Sequence, residues 1–409
     1  MSQPQPAPGR AAPPRRDRLR VLVVAESFEP GSGSVPRVLA HLAAEGHEAL
    51  LVTHAGPTTY AGFPVRRVSS WPAAPRLRGT MRRFGPDVVH VAGHGRLGRR
   101  AVPVAASLGV PVVLDVGPTG PTGESGPPPR VLEQVDRVLA GSAAALRDLQ
   151  AHGLERLALW PCGVDLTAFH PSRRSESWRG SLAPDGQRLV GHVGPLERVE
   201  EVDLLTGLDR DERYRLVLVG SGPDEARLRR LLPHAHFLGD LRGEALAAAY
   251  ASLDVLVHTA RRETCGRLVR AGLEALASGV PVVAPRNGVA EDLVDEGSAG
   301  LLFEPGDAAD LEACVARLLH DDLALRRTAL AARRSVRHRS WRALDEALVG
   351  HYRDVVTTSS ASSTVSTRCT CGSMARPAAS ACSSGQAGSS TLQCSRPTST
   401  IGATDDSSA

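Results

Sequence analysis

The chain has 409 residues, 42% hydrophobic and 22% charged, enough at about 100–200 residues per domain for two or three buried cores and too many for a small disulfide-stapled scaffold. All 48 positive charges are arginine, so no chemistry that needs a lysine amine occurs here. The formal net charge of +4 resides in residues 1–20, where Arg10, Arg15, Arg16, Arg18 and Arg20 stand against Asp17 alone; the neutral body, with 3% aromatics, offers neither the basic groove nor the stacking platforms of a nucleic-acid binder.

Residues 1–18 form a Pro- and Arg-rich arm without the apolar stretch of a secretory signal, and they are expected to be disordered. From Arg20 short aliphatic runs alternate with helical patterns, as in parallel βαβ units. The predicted strands are 21–26, 48–54, 65–70, 87–93, 111–117 and 137–142, with an amphipathic helix between the first two stopped by Gly46. A second series follows at 188–194, 214–220, 234–240, 253–259, 280–285 and 300–305, with helices expected at 223–232 and 241–253. The fold class is therefore α/β, two Rossmann-like doubly wound domains spanning 19–170 and 171–340. Their cleft lies at the carboxyl ends of the strands, where open α/β sheets bind ligands.

Residues 309–356 read as helical, and 341–356 as a crossover helix returning to one of the domains. The character changes after Val356: residues 357–409 hold 15 Ser and 9 Thr, no periodicity and four of the seven cysteines. Such a segment buries too little apolar surface to offset its ordering entropy and is expected to be disordered; the break is abrupt enough to suggest a change of reading frame. No apolar run approaches the roughly 20 residues of a membrane span, and scattered cysteines suit a reducing cytoplasm, so a cytoplasmic protein is expected. Cys369 and Cys371 lack a second ligand pair at zinc spacing, and neither a metal nor an organic cofactor is expected.

Gly220, Gly222 and Pro223 end a strand and open a helix, which leaves amides for an anion; a plain strand-to-helix turn explains the same residues. Glu263, Thr264, Cys265 and Gly266 precede another helix in the same way. His90, His94 and His258 sit at strand ends, where packing or capping is the commoner role of a histidine. Trp71 with Arg76, Arg78, Arg82, Arg83 and Phe84 fits either a solvated helix face or a peripheral contact with the anionic inner face of the plasma membrane.

Seven strings appear in order: GVDLTAF (163–169), VGHVGPLE (190–197), VLVGSGPDEARL (217–228), FLGDLRGEALAAAYASLDVLVH (237–258), ETCGRLV (263–269), LEALASGVPVVAP (273–285) and GLLFEPGD (300–307). Together they resemble the retaining glycosyltransferases of family 4. VAESFEP (24–30) and RVLAHLAAEGHEALLV (37–52) are similar to the actinobacterial GDP-mannose-dependent α-mannosyltransferases within that family, and the resemblance covers about residues 20–356. It implies the GT-B fold and transfer of a hexose, mannose from GDP-mannose, to a lipid or glycan acceptor with retention of configuration.

Residue by residue, the resemblance implies that Glu263 contacts the donor sugar, that Glu274 holds the ribose hydroxyls, and that Gly194, Gly220, Gly222, Cys265 and Gly266 line the nucleotide and phosphates. Several departures stand beside it. The two glutamates are eleven positions apart instead of eight, so three extra residues fall near Arg270, Ala271 and Gly272; Glu274 is expected to keep its place and the helix start to be disturbed. Pro195 and Glu200 occupy the positions where the family presents an arginine and a lysine to the diphosphate, with Arg198 as the nearby cation. The loop Glu29 to Ser34 is about four residues shorter than the family's, one glycine of a pair is kept at Asn287, Gly288 and Val289, and Asp115 is the local candidate for a polar catalytic group after the strand at 111–117. These losses imply weakened activity and raise a competing reading, a catalytically inactive glycosyltransferase-like binding or regulatory protein. A nucleotide-sugar epimerase on the same fold fits the strings less well.

Overall fold

A computed structural model of the chain describes residues 18–29, 33–69, 73–93, 95–117, 129–261, 266–294 and 298–368. The first half contains β1 (Arg20–Ala25), α1 (Val35–Ala44), β2 (Glu48–Thr53), β3 (Thr59–Tyr60), β4 (Phe63–Arg67), α2 (Ala73–Phe84), β5 (Val88–Ala92), α3 (Arg96–Ala106), β6 (Val112–Asp115), α4 (Pro129–Leu132), β7 (Arg137–Ala140), α5 (Ala143–Ala151) and β8 (Leu157–Leu159). The second contains α6 (Glu176–Leu182), β9 (Arg188–Val193), α7 (Thr206–Arg210), β10 (Tyr214–Val219), α8 (Glu225–Leu231), β11 (His236–Phe237), α9 (Gly243–Ser252), β12 (Val255–Val257), α10 (Arg267–Ala277), β13 (Val282–Pro285), α11 (Gly288–Leu293), β14 (Gly300–Phe303), α12 (Ala308–Leu319), α13 (Asp322–Ser335) and α14 (Trp341–Arg368).

The strands form two sheets, ordered β3-β4-β2-β1-β5-β6-β7-β8 and β11-β10-β9-β12-β13-β14. Every pairing is parallel except β3 with β4. Period-2 alternation explains why both faces are covered. In β1, Val21, Val23 and Ala25 pack with Val38, Leu39 and Leu42 of α1 and with Leu348, Val349 and Tyr352 of α14. Leu22 and Val24 face Leu77 and Met81 of α2 and Leu97 and Val102 of α3. Each such buried side chain is worth about 1.5–3 kcal/mol of transfer free energy.

All twelve predicted strands are present, with ends moved inward or outward by a few residues. Two short strands escaped the pattern because two or three residues cannot establish a period. One is β3, hairpinned to β4 through Ala61 and Gly62 with φ of 50° and 81°; the other is the edge strand β8.

The last helix crosses back to the first sheet. Asp345 receives the Arg37 guanidinium at 3.2 Å from both carboxylate oxygens, Arg37 stacks 3.5 Å from the Trp341 ring, and Trp160 Nε1 donates to the Leu344 carbonyl at 3.0 Å. α14 runs past the expected helix boundary at residue 356 as far as Arg368. The hydroxyls that compete with a helix elsewhere bond back within it here: Thr357, Thr358 and Ser360 donate to the carbonyls of Arg353, Asp354 and Val356 at 2.8–2.9 Å. The arm to residue 17 and the tail from 369 lie outside the described residues. No helix among the described residues is long and apolar enough to cross a membrane.

Candidate active site

Cavities open at the carboxyl ends of the strands of both sheets. On the first sheet a cavity of about 710 Å³ is lined by Glu26, Phe28, Ser34, Arg96, Arg99 and Asp115, among others. Asp115 ends β6, and its Oδ1 accepts the Gly117 amide at 2.9 Å. Burial pushes its carboxyl up to about 6, against the smaller opposing pulls of that amide and of Arg37. Glu26, which follows β1, was quoted within the VAESFEP string but given no role. Its Oε2 accepts the Leu97 amide at the start of α3 at 2.8 Å, and its Oε1 stands 3.4 Å from His54 Nε2. The signal for it was an acidic residue directly after the first strand of an open parallel sheet.

On the second sheet, a cavity of about 730 Å³ is lined by Phe169, Arg173, Asp240, Leu241, Arg242, Gly243, Glu244, Arg270 and Glu274, with others. A smaller one of about 240 Å³ shares Asp240, Leu241 and Leu246 with it and is walled by Gly194, Pro195, Gly220 and Ser221. Glycine at 220 is required by the packing: φ is +134° and a Cβ would overlap the Gly194 carbonyl, so the turn after β10 lies directly on the turn after β9. Gly222 is packed in the same way against Leu196 and does not line either cavity. The helix predicted to open at Pro223 starts at Glu225, and its entry is tied by the Asp224 amide to the Leu196 carbonyl at 3.0 Å. The Asp224 carboxylate is occupied by Arg227 at 2.6–3.0 Å. Gly222 is thus a packing glycine, while Gly194 and Gly220 form a cavity wall.

Glu274 is 8% exposed and lines the larger cavity. Burial raises its pKa, opposed by Arg270 and the neighbouring Tyr250 hydroxyl. Its Oε1 accepts Arg270 Nε at 3.1 Å, one helical turn away. Gly266, with φ +70°, caps α10, and the helix then runs unbroken through Glu274. The three extra residues are therefore absorbed as helix rather than as an interruption. Gly272 belongs to that accommodation, because a Cβ there would overlap Leu293 of α11. Glu263 and Cys265 lie outside the described residues.

Arg198 is not brought to the site: its side chain is 77% exposed, its Nε is 3.9 Å from Asp224, and it lines neither cavity. Glu200 is 2% exposed, and its carbonyl accepts the Thr259 hydroxyl. The histidines at strand ends turn inward. His90 is 1% exposed with Nδ1 3.0 Å from the Tyr352 hydroxyl, and burial lowers its pKa to about 4. Burial likewise takes His258 down to about 3 and His192, which lies beneath Gly194, to about 4. His94 and Trp71 lie outside the described residues. A larger cavity, about 1110 Å³, adjoins Arg188 and Tyr214 at the opposite, amino ends of β9 and β10, away from where open α/β sheets bind their ligands. No cluster of three metal-ligating side chains occurs among the described residues.

The two sheets correspond to two family models, "Glycosyltransferase Family 4" over residues 34–168 and "Glycosyl transferases group 1" over residues 188–321. The chain is 39% identical over 373 residues to a GDP-mannose-dependent alpha-mannosyltransferase of Mycolicibacterium smegmatis, covering 83% of this chain and 98% of the relative. It is 40% identical over 372 residues to a protein of the same name from Mycobacterium tuberculosis, covering 82% and 97%. The solved sucrose-phosphate synthase of Thermosynechococcus elongatus superposes with a TM-score of 0.67 at 20% identity, covering 83% of this chain and all of that one, which supports the shared GT-B architecture. With both domain models matched in order and relatives aligned over nearly their whole length, the chain belongs to glycosyltransferase family 4 and is a hexosyltransferase of the GT-B fold.

Proposed function

We propose that the chain transfers mannose from GDP-mannose to a hydroxyl of a lipid or glycan acceptor with retention of configuration. The observation that carries the donor side is Glu274, a buried carboxylate in the wall of a cavity that continues into the glycine-walled turn of Gly194 and Gly220. A carboxylate accepts two hydroxyl donors at once, which suits the paired hydroxyls of a ribose. The glycine backbones admit the close approach of a diphosphate. Preference for GDP-mannose over other donors is supported by the names of the relatives.

On the acceptor side, Asp115 serves as the group that accepts a hydrogen bond from the attacking hydroxyl. In the transfer the bond from the sugar's anomeric carbon to the diphosphate oxygen breaks, and a bond to the acceptor oxygen forms. The acceptor proton leaves to the departing diphosphate or to water. Negative charge grows on the diphosphate as the bond breaks, so donors and cations aimed at it lower the barrier. Pro195 and Glu200 supply no such charge, and this favours the second reading, a binding or regulatory protein without turnover. The relatives lend that second reading no support. Incubation of the chain with radiolabelled GDP-mannose and a membrane lipid extract decides between them: label moving into the lipid or glycan fraction is expected, and binding of GDP-mannose without any transfer of label overturns the catalytic reading.

A further inference from the structure

Among the described residues, those that line the glycine-walled part of the donor cavity, Val193, Pro195, Ser221 and Asp240 with others, include no cation. Arg198 points away toward Asp224. The adjoining larger cavity carries three guanidinium groups, from Arg173, Arg242 and Arg270. Arg173 is drawn to Glu244 at 3.4 Å, and Arg242 is the N-cap residue of α9.

Arg270 is placed differently. It is the fourth residue of α10 and Glu274 the eighth, so the two share one face of the helix, with Arg270 about 6 Å nearer the amino end at 1.5 Å rise per residue. The amino end is the end that stabilises anions. The Arg270 amide is already spent on the Gly266 carbonyl at 3.0 Å, so only its side chain is available to a ligand. That side chain is 72% exposed while the Glu274 side chain is 10% exposed, so an exposed guanidinium is tethered over a buried carboxylate.

We infer that Arg270 is the residue that grips the donor diphosphate: when ribose hydroxyls take over Glu274, the released guanidinium swings toward the helix start and pairs with the phosphates. The inference rests on the nucleotide reading of this cavity. It gives the additional helical residues a function, since they carry a cation into a site whose glycine wall has none. Arg270 thereby acts twice, opposing the burial that raises the Glu274 pKa in the empty site and binding the diphosphate in the filled one.

Calorimetry with GDP, with UDP in parallel, and with guanosine, on the full chain and on Arg270→Gln and Arg270→Lys, tests this. The glutamine keeps helix propensity and stem length at an exposed position. The expected result is a 10- to 100-fold loss of GDP affinity in Arg270→Gln, the range of a charge-assisted contact. Guanosine affinity should not fall, since the ribose no longer has to displace a guanidinium from Glu274; GDP binding should become less sensitive to salt, and Arg270→Lys should recover part of the loss. Equal GDP affinity in the parent and Arg270→Gln, with guanosine bound by both, overturns the inference and leaves the nucleotide cavity standing. A gain in GDP affinity would mean that Arg270 only masks Glu274, which also overturns it. A parent that binds neither nucleotide nor nucleoside overturns the nucleotide reading and this inference together.

Discussion

At Glu274 one carboxylate faces both a neighbouring arginine and the interior of a cavity, and burial raises its pKa while Arg270 restrains the rise. Glu274→Gln keeps the shape and removes the charge, so it should cost about 1–3 kcal/mol of nucleotide affinity; calorimetry that finds GDP bound equally by parent and mutant removes Glu274 from the ribose site. Pro195→Arg should strengthen donor binding, because a guanidinium would enter the glycine-walled cavity. If Arg270 already serves the same phosphates, the gain should be larger in an Arg270→Gln background than in the parent, a coupling that a double-mutant cycle reads directly. Asp115 bears on pH. Its carboxyl, raised to about 6 by burial, is neutral below that value and offers the acceptor hydroxyl the stronger, charge-assisted hydrogen bond only above it. Transfer should therefore rise as pH passes through about 6, and Asp115→Asn should flatten that limb; an unchanged limb in the mutant would assign the titration to another group.

Among the elements, α14 shows how a segment remote in sequence completes an earlier core. Leu348, Val349, Tyr352 and Val355 are all buried against the first sheet, and the Tyr352 hydroxyl meets His90 in its middle. Leu348→Ala should cost about 2–5 kcal/mol, and Tyr352→Phe about 1–3 kcal/mol through the imidazole nitrogen left unpaired in the interior. Truncation after Val356 removes only the helix beyond the last of these buried residues, so it should move Tm by no more than a few degrees. A collapse of Tm on that truncation, measured by calorimetry, would show that the end of α14 or the tail takes part in the core. The helix α2 is amphipathic, with Leu77 and Met81 turned to the core; the burial of these positions accounts for half of the pattern that its arginines complete.

For the whole molecule, buried histidines and buried carboxyls act on acid stability in opposite senses. His90 and His192 titrate at about 4 and His258 at about 3, all below the ordinary 6.5 because burial disfavours the charged ring. The unfolded chain therefore binds more protons than the folded one as pH falls below about 6.5. Their contribution is complete above that value and is lost toward pH 4 and 3. Asp115 works in the opposite sense between about 4 and 6, where the folded state holds its proton more tightly. His47 and His351, likewise lowered by burial, add to the first effect, and Glu274 and Asp345, likewise raised, add to the second; with more rings than carboxyls shifted, stability should rise with pH between about 4 and 6. Urea melts across this range check the sign, and stability that falls with rising pH would mean the histidines are charged in the fold.

The alternation of aliphatic runs with helical patterns was enough, by itself, to place all twelve main strands and to imply two parallel sheets, because strand period and helix period are properties of contiguous residues. The same local information picked out Gly220, while Glu274 was singled out only through the resemblance of its surrounding string to family 4. It could not tell that Gly222 serves packing, since that depends on Leu196 across a turn. Nor could it tell that the residues around Arg270 extend a helix and bring a guanidinium onto Glu274, because insertions leave the local pattern ambiguous between loop and helix. Protonation was likewise invisible: His90 is neutral and Asp115 titrates high because elements hundreds of residues away in the chain, α14 among them, exclude water from their surroundings. Periodicity is written in neighbouring residues, whereas burial, close approach and charge state arise only when distant segments meet.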